Sequence, residues 1–269
     1  MPKLRTSVSS SVCYRKLGAG PAIILLHGFP ASGVLWHNVW DDLAESYTVI
    51  VPDFPGTGQS ALDGNTSITG LAQIVKEIMD SECVDKAIIA GHSMGGYVAF
   101  EFARLYPHRV AGLSLVHSTP LSDDQEKVKT RLKSIALIQN GGKNAFVTQM
   151  IPNLFSPAFK LSDPLIINAQ IDDSLQVEDK GLINFYKAMI ARHDNSEVLG
   201  AAIFPVQWIC GLDDVIIPYK KILDKYHVSD TNFVSFYDNC GHMSMLEAPT
   251  RLIVDLKEFA GYCYNYRHR

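Results

Sequence analysis

The apolar run KAIIA at 86–90 ends on GHSMGG at 91–96 and passes directly into a helix-period stretch, YVAFEFARLYP at 97–107. Few chain paths accept that order. A strand that turns into a helix within two or three residues pushes the intervening Ser93 out of the sheet. It also brings the residues two before and two after the serine together, so Gly91 and Gly95 remove side chains that would collide. The backbone N–H groups of the helix start then face any charge that develops beside Ser93. A glycine-rich helix start with a capping serine is the plain alternative, and the strand–turn–helix context argues against it.

The rest of the chain repeats this rhythm. AIILL at 22–26, YTVIV at 47–51, LSLV at 113–116, VQWIC at 206–210 and FVSFY at 233–237 read as strands, mostly apolar on both faces, as in a parallel sheet covered by helices. Between them Ile68, Leu71, Val75 and Ile78 form a helical stripe, as do Val98, Phe102 and Leu105. Leu252, Leu256, Phe259 and Cys263 form another after Pro249. The alternation predicts an α/β fold with a doubly wound, mostly parallel sheet.

From about 121 to 202 no strand is evident. Ser122 to Gln125 reads as a capping box, followed by Val128, Leu132 and Ile135 and ended by Gly141-Gly142. Further helices are expected near Asp163-Pro164 and over 177–193. The expected organisation is a core of 1–120 and 203–269 with a helical insertion at 121–202.

Several function classes are disfavoured. Across 269 residues, 24 basic and 28 acidic side chains leave a net charge of −4, without the basic excess of a nucleic-acid binder. No apolar stretch is long enough to span a membrane, and the N-terminus lacks a signal-peptide core. The five cysteines are scattered, without C-x-x-C, and read as free thiols. The expectation is a soluble cytoplasmic protein. The nine histidines show no metal-binding spacing, so neither metal nor cofactor is expected. The GTGQSA stretch at 56–61 matches a dinucleotide-binding pattern but is followed by a loop over 62–66 rather than a helix.

A serine hydroxyl needs a base. His242, in DNCGH just after FVSFY, would sit at the carboxyl edge of the sheet, where open α/β sheets place their sites. The base needs an orienting acid, and Asp213-Asp214 follows VQWIC at the same edge; an aspartate there also suits a helix cap before Pro218. His27-Gly28 after AIILL directs the Phe29 N–H toward the oxyanion that the Met94 N–H would also meet. The imidazoles of His27 and His92 read as packed structural groups.

Together, HGFP at 27–30, DFPGTGQS at 53–60, GHSMGG at 91–96, GLDDVIIP at 211–218 and GHMSMLEAP at 241–249 resemble the α/β-hydrolase superfamily over nearly the whole chain. The resemblance implies Ser93 as nucleophile, His242 as base and Asp214, rather than Asp213, as acid. It also implies Phe29 and Met94 as oxyanion N–H donors and a helical cap at 121–202. HGFP with Trp36 is similar to epoxide hydrolases and haloalkane dehalogenases, but those use aspartate where Ser93 stands. The GGSWG elbow of proline iminopeptidases is absent. The implied activity is a serine hydrolase acting on small carboxylic esters through an acyl-enzyme. The alternatives are hydrolysis of a C–C bond in ring-cleavage products, or ligand binding without catalysis. The implied partner is a small-molecule substrate.

Overall fold

The computed structural model describes residues 1–9, 11–63 and 66–265. Eight strands form one sheet: β1 (Lys3–Leu4), β2 (Val12–Leu17), β3 (Ala22–Leu26), β4 (Thr48–Pro52), β5 (Ala87–His92), β6 (Val110–Val116), β7 (Val206–Gly211) and β8 (Asn232–Tyr237). Their order is β1-β2-β4-β3-β5-β6-β7-β8. From β4 to β8 every pairing is parallel, while β1–β2 and β2–β4 are antiparallel. The six expected strands are present, each within a few residues of its predicted bounds. The antiparallel edge went unpredicted because VCYRKL carries Arg15 and Lys16 inside a short run and lacks the two-faced apolar character of the central strands.

Chain reversal fixes the two helical layers. From β3 the chain steps to β4 through α1 (His37–Ala44), then back across β3 to β5 through α2 (Ile68–Ser81). Right-handed crossovers in opposite directions put these helices on opposite faces. α3 (Met94–Leu105) packs with α2, and α11 (Pro249–Asn265) packs with α1. The stripes behave as read: Ile68, Leu71, Val75 and Ile78 are buried, as are Leu252, Leu256, Phe259 and Cys263. Ser67 caps α2 by accepting from the Gly70 N–H. The GTGQSA stretch opens no helix; Gly58 instead leans on the Asp53 carboxylate, which accepts from the Gly33 and Gln59 N–H groups. The loop read over 62–66 includes Gly64 and Asn65, which lie outside the described residues.

Between β6 and β7 the chain forms α4 (Gln125–Gln139), α5 (Lys143–Met150), α6 (Pro157–Ser162), α7 (Pro164–Leu175), α8 (Asp179–Ile190) and the short α9 (Glu197–Gly200). The N-cap of α4 is Asp124, accepting from Lys127 N–H, and not Ser122. The inner face also differs from the expected stripe: Leu132 is 52% exposed, while Arg131, Ile135 and Ile138 are buried. After Pro218 only single 3₁₀ turns form, at Tyr219–Lys221 and Leu223–Lys225, in place of a helix. A final short helix, α10 (Ser244–Glu247), leads into α11.

Strand register puts one row of residues at the carboxyl edge. Leu26 pairs with Gly91, His92 with Val116, Val116 with Ile209, and Gly211 with Tyr237. The loops after β3, β5, β6, β7 and β8 therefore emerge side by side. The divergence of the chain on either side of β3 opens a crevice there.

Two ties hold these loops. Glu247 accepts from the N–H groups of Gly241, Met243 and Ser156, joining the loop after β8 to the inserted helices. Buried histidines do the rest. His27 Nε2 accepts from the Phe54 N–H at 3.0 Å, and His92 Nε2 lies 2.8 Å from the His242 carbonyl. His117 Nε2 accepts from the Ser244 N–H at 3.4 Å.

Glu247→Ala strands three N–H groups in a partly buried loop. Denaturant unfolding should show a loss of about 2–4 kcal/mol, given ~1–3 kcal/mol for an unsatisfied buried donor. A loss under about 0.5 kcal/mol would show the tie to be idle.

Burial pulls His27, His92 and His117 below the ordinary histidine range. The unfolded chain therefore binds protons that the fold refuses as pH falls through about 6.5. Stability should fall with decreasing pH below that point, by up to about 1.4 kcal/mol per pH unit for each such histidine. Melting temperatures between pH 7.5 and 5.5 check the sign; a flat profile would contradict neutral burial.

Candidate active site

The turn at 91–96 is as tight as its glycines suggest. A Cβ on Gly91 would run into the Gly95 carbonyl, and a Cβ on Gly95 into the Leu26 carbonyl of the neighbouring strand. Ser93 has φ +50° and ψ −113°, a left-handed conformation costly for a residue with a side chain. Four hydrogen bonds hold it there. Its N–H donates to the Val116 carbonyl at 3.0 Å, and its carbonyl accepts from Gly96 N–H and Ser118 Oγ, both at 2.9 Å, and from Tyr97 N–H at 3.3 Å. Ser93 is thereby lifted to the edge of the sheet at the start of α3, with its Oγ free of any hydrogen bond among the described residues.

His242 lies across from it, fixed at four points. Its N–H donates to the Leu154 carbonyl at 2.6 Å, its carbonyl meets His92 Nε2, and Nδ1 lies 2.7 Å from Asp214 Oδ2. The fourth is ring packing on His92 and His117, with centroids 4.9 and 5.6 Å away.

Asp214 is oriented by the turn that follows it. Its Oδ1 accepts the N–H groups of Ile216 and Ile217 at 2.8 and 3.0 Å, which leaves Oδ2 for His242. Burial opposes the ionised form, but the facing His242 and His117 outweigh it and hold the carboxyl well below the ordinary range. Asp213 is half-buried; its N–H donates to the Cys240 carbonyl, and its side chain caps no helix. The imidazole of His242 is thus presented with Nδ1 on a carboxylate and Nε2 free for proton transfer. Ser93 and His242 open onto the same cavity, of about 190 Å³.

Phe29 also borders that cavity, and its ring packs on Tyr186 of α8 with centroids 4.6 Å apart. Neither the Phe29 nor the Met94 N–H has an acceptor among the described residues. His27 takes no part: it is fully buried and absorbed by Phe54, Thr57 and Gly28. A larger cavity of about 390 Å³ lies between the loop after β4 and α7 and contains none of the predicted residues.

Several contributors were not read from the sequence. His117 follows β6 as His242 follows β8, with φ +50° and Nδ1 3.4 Å from Asp214 Oδ2; the edge-of-strand argument applied to LSLVH would have found it. With Asp214 and His242 it forms a cluster whose ligand-type atoms lie within 4.8 Å of one another. Motif spacing is blind to a cluster drawn from three segments. Here Asp214 Oδ1 is spent on two backbone N–H groups and Oδ2 on a hydrogen bond to His242, the pattern of a proton-holding pair. Of the apolar residues between 146 and 159, Met150 and Leu154 border the cavity, and so do two cations of α4, Lys127 and Arg131.

Comparison with known proteins agrees with this architecture. A family model described as alpha/beta hydrolase fold matches residues 21–249. A thermophilic esterase from Thermogutta terrifontis, solved with malate bound, superposes with a TM-score of 0.92 at 25% identity, over 98% of this chain and 99% of that one. The enol-lactonase of Burkholderia xenovorans LB400 superposes with a TM-score of 0.88 at 18% identity, over 96% and 99% of the two chains, a likeness of fold. A pimeloyl-[acyl-carrier protein] methyl ester esterase of Aeromonas hydrophila is 38% identical over 112 residues, 41% of this chain and 42% of that one. The family match across most of the chain, on an eight-stranded and mostly parallel sheet, makes this protein a member of the alpha/beta hydrolase fold family.

Proposed function

We propose that the protein is a serine hydrolase that cleaves small carboxylic esters through an acyl-enzyme. The observation that carries this reading is the strained Ser93 at the start of α3, sharing a cavity with the His242–Asp214 pair. Similarity to two proteins named as esterases supports the bond type.

In this reading Ser93 Oγ attacks the ester carbonyl while His242 Nε2 takes its proton. The Phe29 and Met94 N–H groups receive the oxyanion, each such donor contributing about 2.7–4 kcal/mol in a comparable site. Collapse of the intermediate expels the alcohol, which leaves with the proton from His242. Water then attacks the acyl-Ser93 ester, losing a proton to His242, and the acid is released with Ser93 restored. Asp214 keeps the Nδ1 proton in place and stabilises the imidazolium without itself taking a proton. Helices α4 to α9 act as a cap, narrowing access to the serine through Met150, Leu154 and Tyr186.

A fluorophosphonate probe should label wild-type protein at Ser93 and leave Ser93→Ala unlabelled. Turnover of a short p-nitrophenyl ester should fall by about 10⁵–10⁶ in kcat for that variant. A folded Ser93→Ala protein retaining a tenth of wild-type activity would remove the nucleophile assignment.

Asp214→Asn should lower kcat by about 10⁴ through loss of the correct tautomer. Asp213→Asn, whose side chain makes no hydrogen bond to His242, should cost about tenfold at most. Both variants are compared at one pH, with circular dichroism as the folding control. The reverse order of effects would move the acid by one residue.

A further inference from the structure

The cavity in front of Ser93 is charged in one sense only. Lys127 and Arg131 both border it, and no aspartate or glutamate does. They stand at i and i+4 on α4, so they share one face. Lys127 Nζ reaches only the Ile216 carbonyl, at 3.4 Å, and has no ion-pair partner among the described residues. Arg131 is nine-tenths buried. Its Nε and Nη2 meet Asp123, but its Nη1 has only the Met189 thioether, at 3.3 Å.

Asp123 is shared. Arg192 also binds it at 2.9 Å and donates to the Met189 and Leu121 carbonyls. Burial opposes ionisation of Asp123, yet hydrogen bonds from the two arginines outweigh it and hold its carboxyl below the ordinary range. One carboxylate thus stands against two buried guanidinium groups. Asp123 Oδ2 is met by Arg131 Nε and Oδ1 by both arginines, so the three groups together keep one surplus positive charge, and Arg131 carries it to the cavity wall. Local helix energetics do not explain this pair. Like charges at i, i+4 disfavour a helix, and a lysine in the first turn opposes the helix dipole. An anion bound between them reverses both costs.

We infer that the site selects esters bearing a carboxylate, held by Lys127 and Arg131 while the scissile carbonyl lies at Ser93. The inference rests on the serine-hydrolase reading and names its substrate class. A planar carboxylate suits a guanidinium whose Nη1 is open, and a cavity of about 190 Å³ admits a short chain between the two groups. Hydrolysis adds water across the ester, giving a dicarboxylic acid when the carboxylate is on the acyl side and a hydroxy acid when it is on the alcohol side.

The test compares kcat/KM for each acid with its neutral amide. Monomethyl glutarate carries the charge on the acyl side and O-acetylglycolate on the alcohol side. Wild-type protein should favour the acid about tenfold or more in at least one pair, as a charge-assisted contact predicts. Lys127→Gln, which gives up only the 3.4 Å contact with the Ile216 carbonyl, should reduce that ratio at least fivefold. Arg131→Gln should do the same and Arg131→Lys should restore part of it, with melting temperatures as the folding control. A wild-type ratio near one in both pairs, or a ratio unmoved by Lys127→Gln, overturns the inference. Fluorophosphonate labelling separates the two layers. Labelled protein without acid preference refutes the carboxylate site alone, and protein that neither labels nor hydrolyses any ester refutes the serine-hydrolase reading beneath it.

Discussion

The site depends on one close approach, that of the start of α3 to the carboxyl ends of β3 and β5. Gly91 meets the Gly95 carbonyl and Gly95 meets the Leu26 carbonyl with no space for a Cβ on either. This contact lets a strand become a helix at Ser93 and holds that residue at φ +50°. Strain at a single residue persists only where its surroundings over-determine it. Here the surroundings are four hydrogen bonds and the parallel strands β3, β5 and β6. The same approach brings Phe29, just after β3, and Met94, the first residue of α3, close to the serine turn.

Around that turn three imidazoles, His92, His117 and His242, cluster with ring centroids 4.9–6.1 Å apart, and two of them, His117 and His242, face one carboxylate, Asp214. If all three were cationic they would repel at close range in a poorly solvated site. Burial keeps His92 and His117 neutral, with the neighbouring His242 charge also working against theirs. His242 alone of the three borders the cavity, and its Nδ1 holds the shorter contact with Asp214, 2.7 Å against 3.4 Å for His117. His92 and His117 pack against its ring as buried polar groups.

Much of this could be read in the sequence because it is local in the chain. GHSMGG carries the turn, and the runs at 22–26, 206–210 and 233–237 carry strands whose ends place Phe29, Asp214 and His242 on one edge. What escaped was fixed by contacts between distant segments. β2 is recognisable only by its antiparallel partner β4. Glu247 looks like an ordinary first-turn acid until Gly241, Met243 and Ser156 turn their N–H groups toward it. Arg131 was hidden by the apolar pattern itself: Val128, Leu132 and Ile135 suggest a buried stripe through Leu132, whereas Leu132 lies outward and Arg131 faces in. Periodicity places apolar residues on a face reliably, but it assigns a buried arginine to solvent, because only its partner Asp123 makes the burial tolerable.

The link between the inserted helices and the base loop follows from those same contacts. The Leu154 carbonyl accepts the His242 N–H, and the Ser156 N–H donates to Glu247 in the loop that carries His242. A Cβ on Gly241 would strike the backbone at Leu154 to Ser156, so the two segments touch at main-chain distance. The segment from 154 to 156 is thus a main-chain support for the loop that carries His242. On the other side of the cavity the insertion meets the core through the Asn195 N–H on the Pro120 carbonyl, Lys127 on the Ile216 carbonyl and Tyr186 on Phe29. The His242–Asp214 pair thus rests on the side of the cavity held by main-chain contacts, while Lys127 and Arg131 lie on the side held mostly by side chains.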